Sequence, residues 1–417
     1  MKLSHFYIFL LAFNFAGFPL VAGLTSYVGA GSTIFSISMR SAILGLSMLL
    51  IIMALLGNKI RIVRGIFWLP LMIFWSAYLL RIYLDTSSGT GNLSREPSDY
   101  WIWAVGACLV PMLGLLTYPR KDYFASSYRL TFSMLIFASF FVGTLGSGLY
   151  TPEAGRAYDT GRLRLEALNP ISVGHLGLSL LLLSVWPFIS AGKVSLGYKQ
   201  LLNIAGSLLG LYLLIAAASR GPLVALIFVL FFYFIAQDLM RNWKLLAVIA
   251  ILLTLANQVG TYLEETGTYK ASSRTESVFS GEDSTITARQ VAYQGAIDQF
   301  IQNPIFGDAL EERITQKYPH NVVLESFMAT GLIGGVSFLA LIMYGIFTSY
   351  KIIRLQTEHG WVSLIFIQYL IAAQFSGALY TVTTMWTFLA LAIVLYSTRN
   401  SAVVNSKKLP RMVGSGR

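Results

Sequence analysis

The chain has 417 residues, 55% of them hydrophobic and only 12% charged, with a mean hydropathy of +0.65; a water-soluble domain of this size does not have that composition. A formal net charge of +11 suggests nucleic acid until the basic residues are placed. They fall in alternate connections, Lys59, Arg61 and Arg64, then Arg120, Lys121 and Arg129, Lys193 and Lys199, Arg241 and Lys244, Lys351 and Arg354, and finally Arg399, Lys407, Lys408 and Arg411, as cytoplasmic loops of a membrane protein do. Nucleic acid is therefore not expected as a partner, and the single cysteine, Cys108, excludes an intramolecular disulfide and a thiolate metal cluster.

Apolar runs of about 20 residues, enough to cross roughly 30 Å of hydrocarbon, recur along the chain. They predict spans near 5–24, 41–57, 65–84, 100–118, 130–150, 170–191, 201–218, 222–238, 245–258, 328–348, 361–377 and 382–398. The fold class is thus all-α, a polytopic bundle of about twelve spans. Only Lys2 precedes the first run and no good small-residue cleavage site follows it, so it is read as a retained span. Residues 361–398 are too long for one span and divide at Ser376-Gly377. Four regions result: spans one to nine in 1–258, a long extracytoplasmic segment at 259–327, spans ten to twelve in 328–398, and a basic cytoplasmic tail at 399–417. Both termini are expected in the cytoplasm. Segments 25–40, 85–99 and 151–169, with the tight Ser219-Arg220-Gly221 turn, then share the outer side with 259–327.

Within the outer segment, Asp283 or Ser284 starts a helix that runs to about Gln302, with Val291, Ala292, Ala296, Ile297, Phe300 and Ile301 at amphipathic spacing. Asn303-Pro304 ends it. Such a helix is expected on the membrane surface, leaving Arg289 near the headgroups. Thr261 to Gly281 lacks periodicity and is expected to form a flap.

Four histidines are present. His5 and His359 fall at cytoplasmic edges, where solvation explains them. His175 lies in the first turns of the sixth span; a histidine at such a boundary is more often a hydrogen-bonded structural residue than a substrate contact. His320 differs, because Tyr318-Pro319 fixes the backbone before it and Asn321 after it is able to cap the next helix. An imidazole with an ordinary pKa of about 6.5 is suited to taking a proton from a hydroxyl.

Arginines are the second signal. Arg220 sits in a turn between two apolar spans, Arg289 on the amphipathic helix, and Arg156, Arg162 and Arg164 crowd one loop. Guanidinium forks match diphosphate oxygens in bidentate geometry, although for Arg162 and Arg164 a solvated or headgroup-facing role explains the residues equally well. The outer carboxylates include no DxD-like pair, so a nucleotide-sugar site built on Mg²⁺ is unsupported. Glu325 either orients His320 or, the favoured reading, complements the helix dipole.

Taken in order, Asn169-Pro170, Ala218-Ser219-Arg220-Gly221-Pro222, Thr287-Ala288-Arg289-Gln290, Asn303-Pro304-Ile305-Phe306-Gly307 and Pro319-His320-Asn321-Val322-Val323-Leu324-Glu325, followed by Gly331-Leu332-Ile333-Gly334, resemble the O-antigen ligase and O-antigen polymerase superfamily of bacterial envelope glycosyltransferases over about residues 155–345. The resemblance implies an inner-membrane protein with its active site facing the periplasm. It also implies metal-independent, inverting transfer of an undecaprenyl-diphosphate-linked oligosaccharide to an acceptor glycan, with no cofactor. His320, Arg289 and Arg220 would be catalytic, while Arg156, Arg162, Arg164, Asn321, Glu325 and His175 would contact substrate. Membrane lipids and a chain-length regulator protein are the further expected partners. The His-Asn-Val-Val-Leu-Glu and Ser-Arg-Gly-Pro forms look more like a polymerase of O-antigen or exopolysaccharide repeats than a ligase acting on lipid A-core. A flippase or transporter, or a docking protein without catalysis, are the readings from other classes. A transporter would place ionisable groups at mid-span, whereas here they gather at one side.

Overall fold

The computed structural model describes residues 3–28, 32–60, 62–87, 93–118, 123–146, 162–190, 197–237, 254, 258, 284–355 and 358–408. The expected span at 245–258, apart from residues 254 and 258, the flap at Thr261–Gly281 and Arg156 lie outside them. In chain order the helices are α1 (Leu3–Ala12), α2 (Phe18–Val28), α3 (Ser32–Leu56), α4 (Trp68–Ser87), α5 (Pro97–Trp101), α6 (Val110–Thr117), α7 (Phe124–Leu145), α8 (Pro170–Ser190), α9 (Tyr198–Ala216), α10 (Arg220–Ala236), α11 (Ser284–Gln302), α12 (Val322–Arg354), α13 (Trp361–Ala372) and α14 (Thr383–Lys408). Among the described residues there is no strand, only an isolated bridge between Glu312 and Lys317. Two continuous spans contain π-helical turns, Phe13–Gly17 between α1 and α2 and Ile102–Leu109 between α5 and α6.

Among the described residues seven stretches are long and apolar enough to cross a membrane: Leu3–Ser26, Ile37–Leu56, Pro97–Thr117, Phe124–Leu145, Pro170–Ser190, Tyr198–Ala216 and Val322–Arg354. Shorter apolar helices occupy Arg220–Ala236, Trp361–Ala372 and Thr383–Thr398. This is a multi-pass membrane protein. The division expected near Ser376-Gly377 falls between α13 and α14. Large apolar side chains such as Leu56, Phe137, Ile227, Phe231 and Met343 are exposed, as on helices that face lipid.

Hydrocarbon gives no hydrophobic drive between helices, so close packing must hold them. Gly177 of α8 and Gly210 of α9 face each other so closely that a Cβ on Gly177 would stand 2.6 Å from the Gly210 carbonyl. An aromatic cluster joins α4, α12 and α14: Phe74 lies 5.0 Å from Phe338 and 5.5 Å from Trp386, and Trp75 lies 5.0 Å from Trp386, between ring centroids.

The Asn303–Gly307 motif has a mechanical role. Asn303 and Pro304 end α11, and the turn that follows seats in a break in α12 at Gly331 (φ 62°). Gly307 also has a positive φ, 76°, and a Cβ at either glycine would collide with the other segment's backbone; only glycine allows this close approach. Leu332 N donates to the Pro304 carbonyl at 2.7 Å and Asp308 N to the Met328 carbonyl at 2.8 Å. Arg81 of α4 locks the join, donating to the carbonyls of Ala329 (2.9 Å), Phe306 (3.2 Å) and Gly307 (2.9 Å). Asp85, paired with Arg81, accepts from Leu310 N at 2.7 Å. The six apolar positions of α11 do not form one lipid-facing stripe. Ala292 and Ala296 are buried and Phe300 packs 5.4 Å from Phe327 of α12, while Val291, Ile297 and Ile301 are exposed. Small residues turn inward because α12 approaches closely there.

Candidate active site

His320 stands at the end of a compact loop built by its own backbone. Glu312 N donates to the Lys317 carbonyl at 2.8 Å, and the Glu312 carboxylate accepts from Ile314 N and Thr315 N, each at 2.6 Å. Pro319 is buried, and His320 itself takes a left-handed conformation, φ 57°, which few non-glycine residues adopt and which clusters at functional sites. Asn321 then caps α12, its side-chain oxygen accepting from Val323 N and Leu324 N at 3.0 Å each. The expected cap is therefore present, and it engages the Asn321 oxygen that a substrate would otherwise meet.

The His320 ring packs edge-on against Tyr318, 4.5 Å between centroids. Its Nδ1 is buried with no hydrogen-bond partner among the described residues. Burial, and then the positive charges of Arg289 and Lys317, lower its pKa from 6.5 to about 4. At neutral pH the imidazole is uncharged and its lone pair is free to accept a proton. Burial also raises the Tyr318 phenol, keeping it protonated.

Behind this ring lies a layer of carboxylates and tyrosines. Glu325 is fully buried in the first turn of α12. One oxygen accepts from Tyr78 OH at 3.0 Å and the other from Leu379 N at 2.9 Å. Through these two bonds Glu325 ties α12 to α4 and to the connection before α14. Glu311 is held in the same way by Ser94 N (2.8 Å), Ser94 OH (2.7 Å) and Tyr100 OH (2.5 Å). The Tyr380 ring lies 4.8 Å from Tyr100 and 6.4 Å from Tyr318, between centroids.

The other expected residues surround the turn between α9 and α10. Leu163 N donates to the Ala216 carbonyl at 2.9 Å and Arg162 Nε to the Ala217 carbonyl at 3.3 Å, so the arginine loop is strapped to the turn that presents Arg220. Arg220 opens α10 and is exposed, and Arg164 is half-buried. His175 of α8 lies beneath this turn, its Nε2 3.9 Å from where a Cβ on Gly221 would stand. It is 6% exposed, and neither ring nitrogen has a hydrogen-bond partner among the described residues. The hydrogen-bonded structural histidine expected at this boundary is not what the fold provides. Arg289 thus shares an electrostatic environment with His320, whereas Arg162, Arg220 and His175 form a second wall.

Two arginines join this end of the bundle without having been singled out. Arg40 of α3 lies over the Trp103 ring, 3.1 Å from its centroid, and the charge of Arg95 bears on Tyr318 and Tyr380. Both fall in segments already assigned to the outer side, 25–40 and 85–99. Among the described residues no three His, Cys, Asp or Glu side chains converge as a metal ion would require.

No curated protein and no solved structure matches the chain. A family model described as O-antigen ligase matches residues 205–339, the stretch from α9 into α12 that carries Arg220, Arg289, His320, Asn321 and Glu325. Over that stretch the chain is similar to the O-antigen ligases, which supports the resemblance to the superfamily of O-antigen ligases and polymerases.

Proposed function

We propose that the protein polymerises lipid-linked glycan repeat units at the periplasmic face of the inner membrane, with His320 as general base and Arg289 and Arg220 holding the diphosphate of an undecaprenyl-linked donor. The observation that carries this reading is the neutral His320 ring, held in a strained backbone beside the positive charge of Arg289. His320 takes the proton of an acceptor sugar hydroxyl as its oxygen forms a bond to the anomeric carbon of the donor. The bond from that carbon to the diphosphate oxygen breaks, its electron pair leaving with undecaprenyl diphosphate. Attack opposite the leaving group inverts the anomeric centre. The arginines offset the charge that grows on the departing oxygen, where fixed charges act most strongly. Arg162 and Arg164 complete the anionic-lipid surface in this reading, and Tyr318 and Asn321 hold the base in place.

Proteoliposomes containing the purified protein and its lipid-linked repeat unit test the reading. A ladder of longer lipid-linked glycans supports polymerisation, and its loss in His320→Asn supports the base. Transfer only when lipid A-core is supplied would make the enzyme a ligase. Movement of the lipid across the bilayer with no new glycosidic bond would make it a transporter.

A further inference from the structure

A cavity of about 300 Å³ opens beside His175, lined among others by Asn14, Arg40, Trp103, His175, Tyr369 and Thr384. It adjoins both walls through the backbone. His175 sits beneath Gly221, next to Arg220, while Ala373 of the cavity wall accepts from Val322 N at 3.2 Å, two residues beyond His320. Both π-helical turns border it as well, the first through Asn14 and Phe15 and the second through Trp103 and Ala107. Such turns recur at functional sites because they displace side chains that a regular helix would stack.

The chemistry of the lining selects the ligand. Thr387 OH donates to the Thr383 carbonyl at 2.9 Å, so its lone pair accepts from the Asn14 amide nitrogen at 2.6 Å. That fixes which way the amide points. The Asn14 side-chain oxygen is left buried with no partner among the described residues, a pure acceptor. A neutral His175 adds one donor and one acceptor, both equally unmatched, and Thr384 adds a hydroxyl. Unsatisfied buried groups cost about 1–3 kcal/mol each and are kept where a ligand completes them. A polyprenyl tail would leave them unsatisfied. A diphosphate would set its own acceptors against the Asn14 oxygen. A pyranose ring, whose hydroxyls both donate and accept, satisfies them, and the aromatic walls suit its apolar face.

The geometry points to this chamber as the pocket for the sugar bonded directly to the lipid diphosphate, the one whose anomeric carbon is attacked; this rests on the donor reading above. Binding in lipid nanodiscs tests it with two probes, bare undecaprenyl diphosphate and the lipid-linked oligosaccharide extracted from the source cells. His175→Phe keeps a ring and removes both nitrogens, and Thr384→Val keeps the shape and removes the hydroxyl. Thr384→Val is expected to weaken the glycan-bearing lipid about 5- to 10-fold, the worth of one hydrogen bond, and His175→Phe at least as much, with bare lipid binding unchanged and His175→Phe no less heat-stable than wild type. Wild-type affinity for the glycan-bearing lipid in both variants overturns the pocket, as does equal weakening of both lipids. Should His175→Phe lower the unfolding temperature, Thr384→Val alone decides. Full turnover by His320→Asn would instead sink the catalytic reading while leaving a measured pocket in place.

Discussion

The lowered pKa of His320 has a kinetic signature that an ordinary surface histidine would not produce. With a pKa of about 4, the fraction of neutral imidazole at pH 5 is about 0.9, whereas a group with the unperturbed value of about 6.5 would be only about 3% neutral there. Initial rates of glycan elongation in proteoliposomes, measured from pH 4 to 8, give the two profiles that matter. The acid limb of kcat/KM reports the free enzyme and that of kcat the complex. The first is expected near pH 4. The second is expected at higher pH, because a bound diphosphate opposes the positive charges of Arg289 and Lys317 and makes protonation easier. Lys317→Gln removes one of those charges from an exposed position and moves the kcat/KM limb upward. The same group bears on folding. Since the unfolded chain takes up a proton that the folded chain refuses between about pH 6.5 and 4, stability conferred by neutral His320 is complete above 6.5 and declines as the pH falls through that window. A kcat/KM limb at 6.5, indifferent to Lys317→Gln, would refute a buried base.

Other outcomes follow from single contacts. Arg289→Lys keeps the charge and loses the fork, and is expected to reduce turnover about 10- to 100-fold with normal membrane insertion; wild-type turnover argues against diphosphate binding. Arg81→Ala strands three backbone carbonyls at the junction of α11 and α12, a loss of roughly 2–4 kcal/mol that thermal unfolding in detergent will register. Glu325→Leu removes the acceptors of Tyr78 OH and Leu379 N, and is expected to destabilise by about 1–3 kcal/mol without moving the acid limb; a moved limb would mean that Glu325 acts on His320. A reporter fused beside His320 is expected to read periplasmic, and a cytoplasmic signal ends the proposed topology.

What could be read in advance was what depends on neighbours in sequence. Asn303-Pro304 ends α11 because proline removes a donor and restricts the residue before it, and Asn321 caps α12 through backbone groups two and three residues away. The π turns and the long-range ties had no such signal. Asn14 meets Thr387 across 373 positions and Tyr78 meets Glu325 across 247; which spans adjoin is decided by packing, and helices apolar on every side carry no record of their neighbours. That is why Glu325 read as a dipole partner and why nothing in the sequence marked Arg81, inside the expected span 65–84, as the residue that fastens the outer segment to α4. Arg40 and Arg95 were within reach. The sorting of charges by side that brought out Arg162 and Arg164 applies to them without change.

The left-handed backbone at His320 bears on how the residue should be interrogated. An alanine there has a Cβ but no polar group to compensate the unfavourable dihedral, so an inactive alanine variant conflates a missing base with a reshaped loop. Asparagine visits that region readily and glycine without penalty. If glycine and asparagine leave the loop intact while silencing the enzyme, the loss belongs to the imidazole; if the glycine variant alone regains turnover with added free imidazole, the empty space has the dimensions of the ring it replaced.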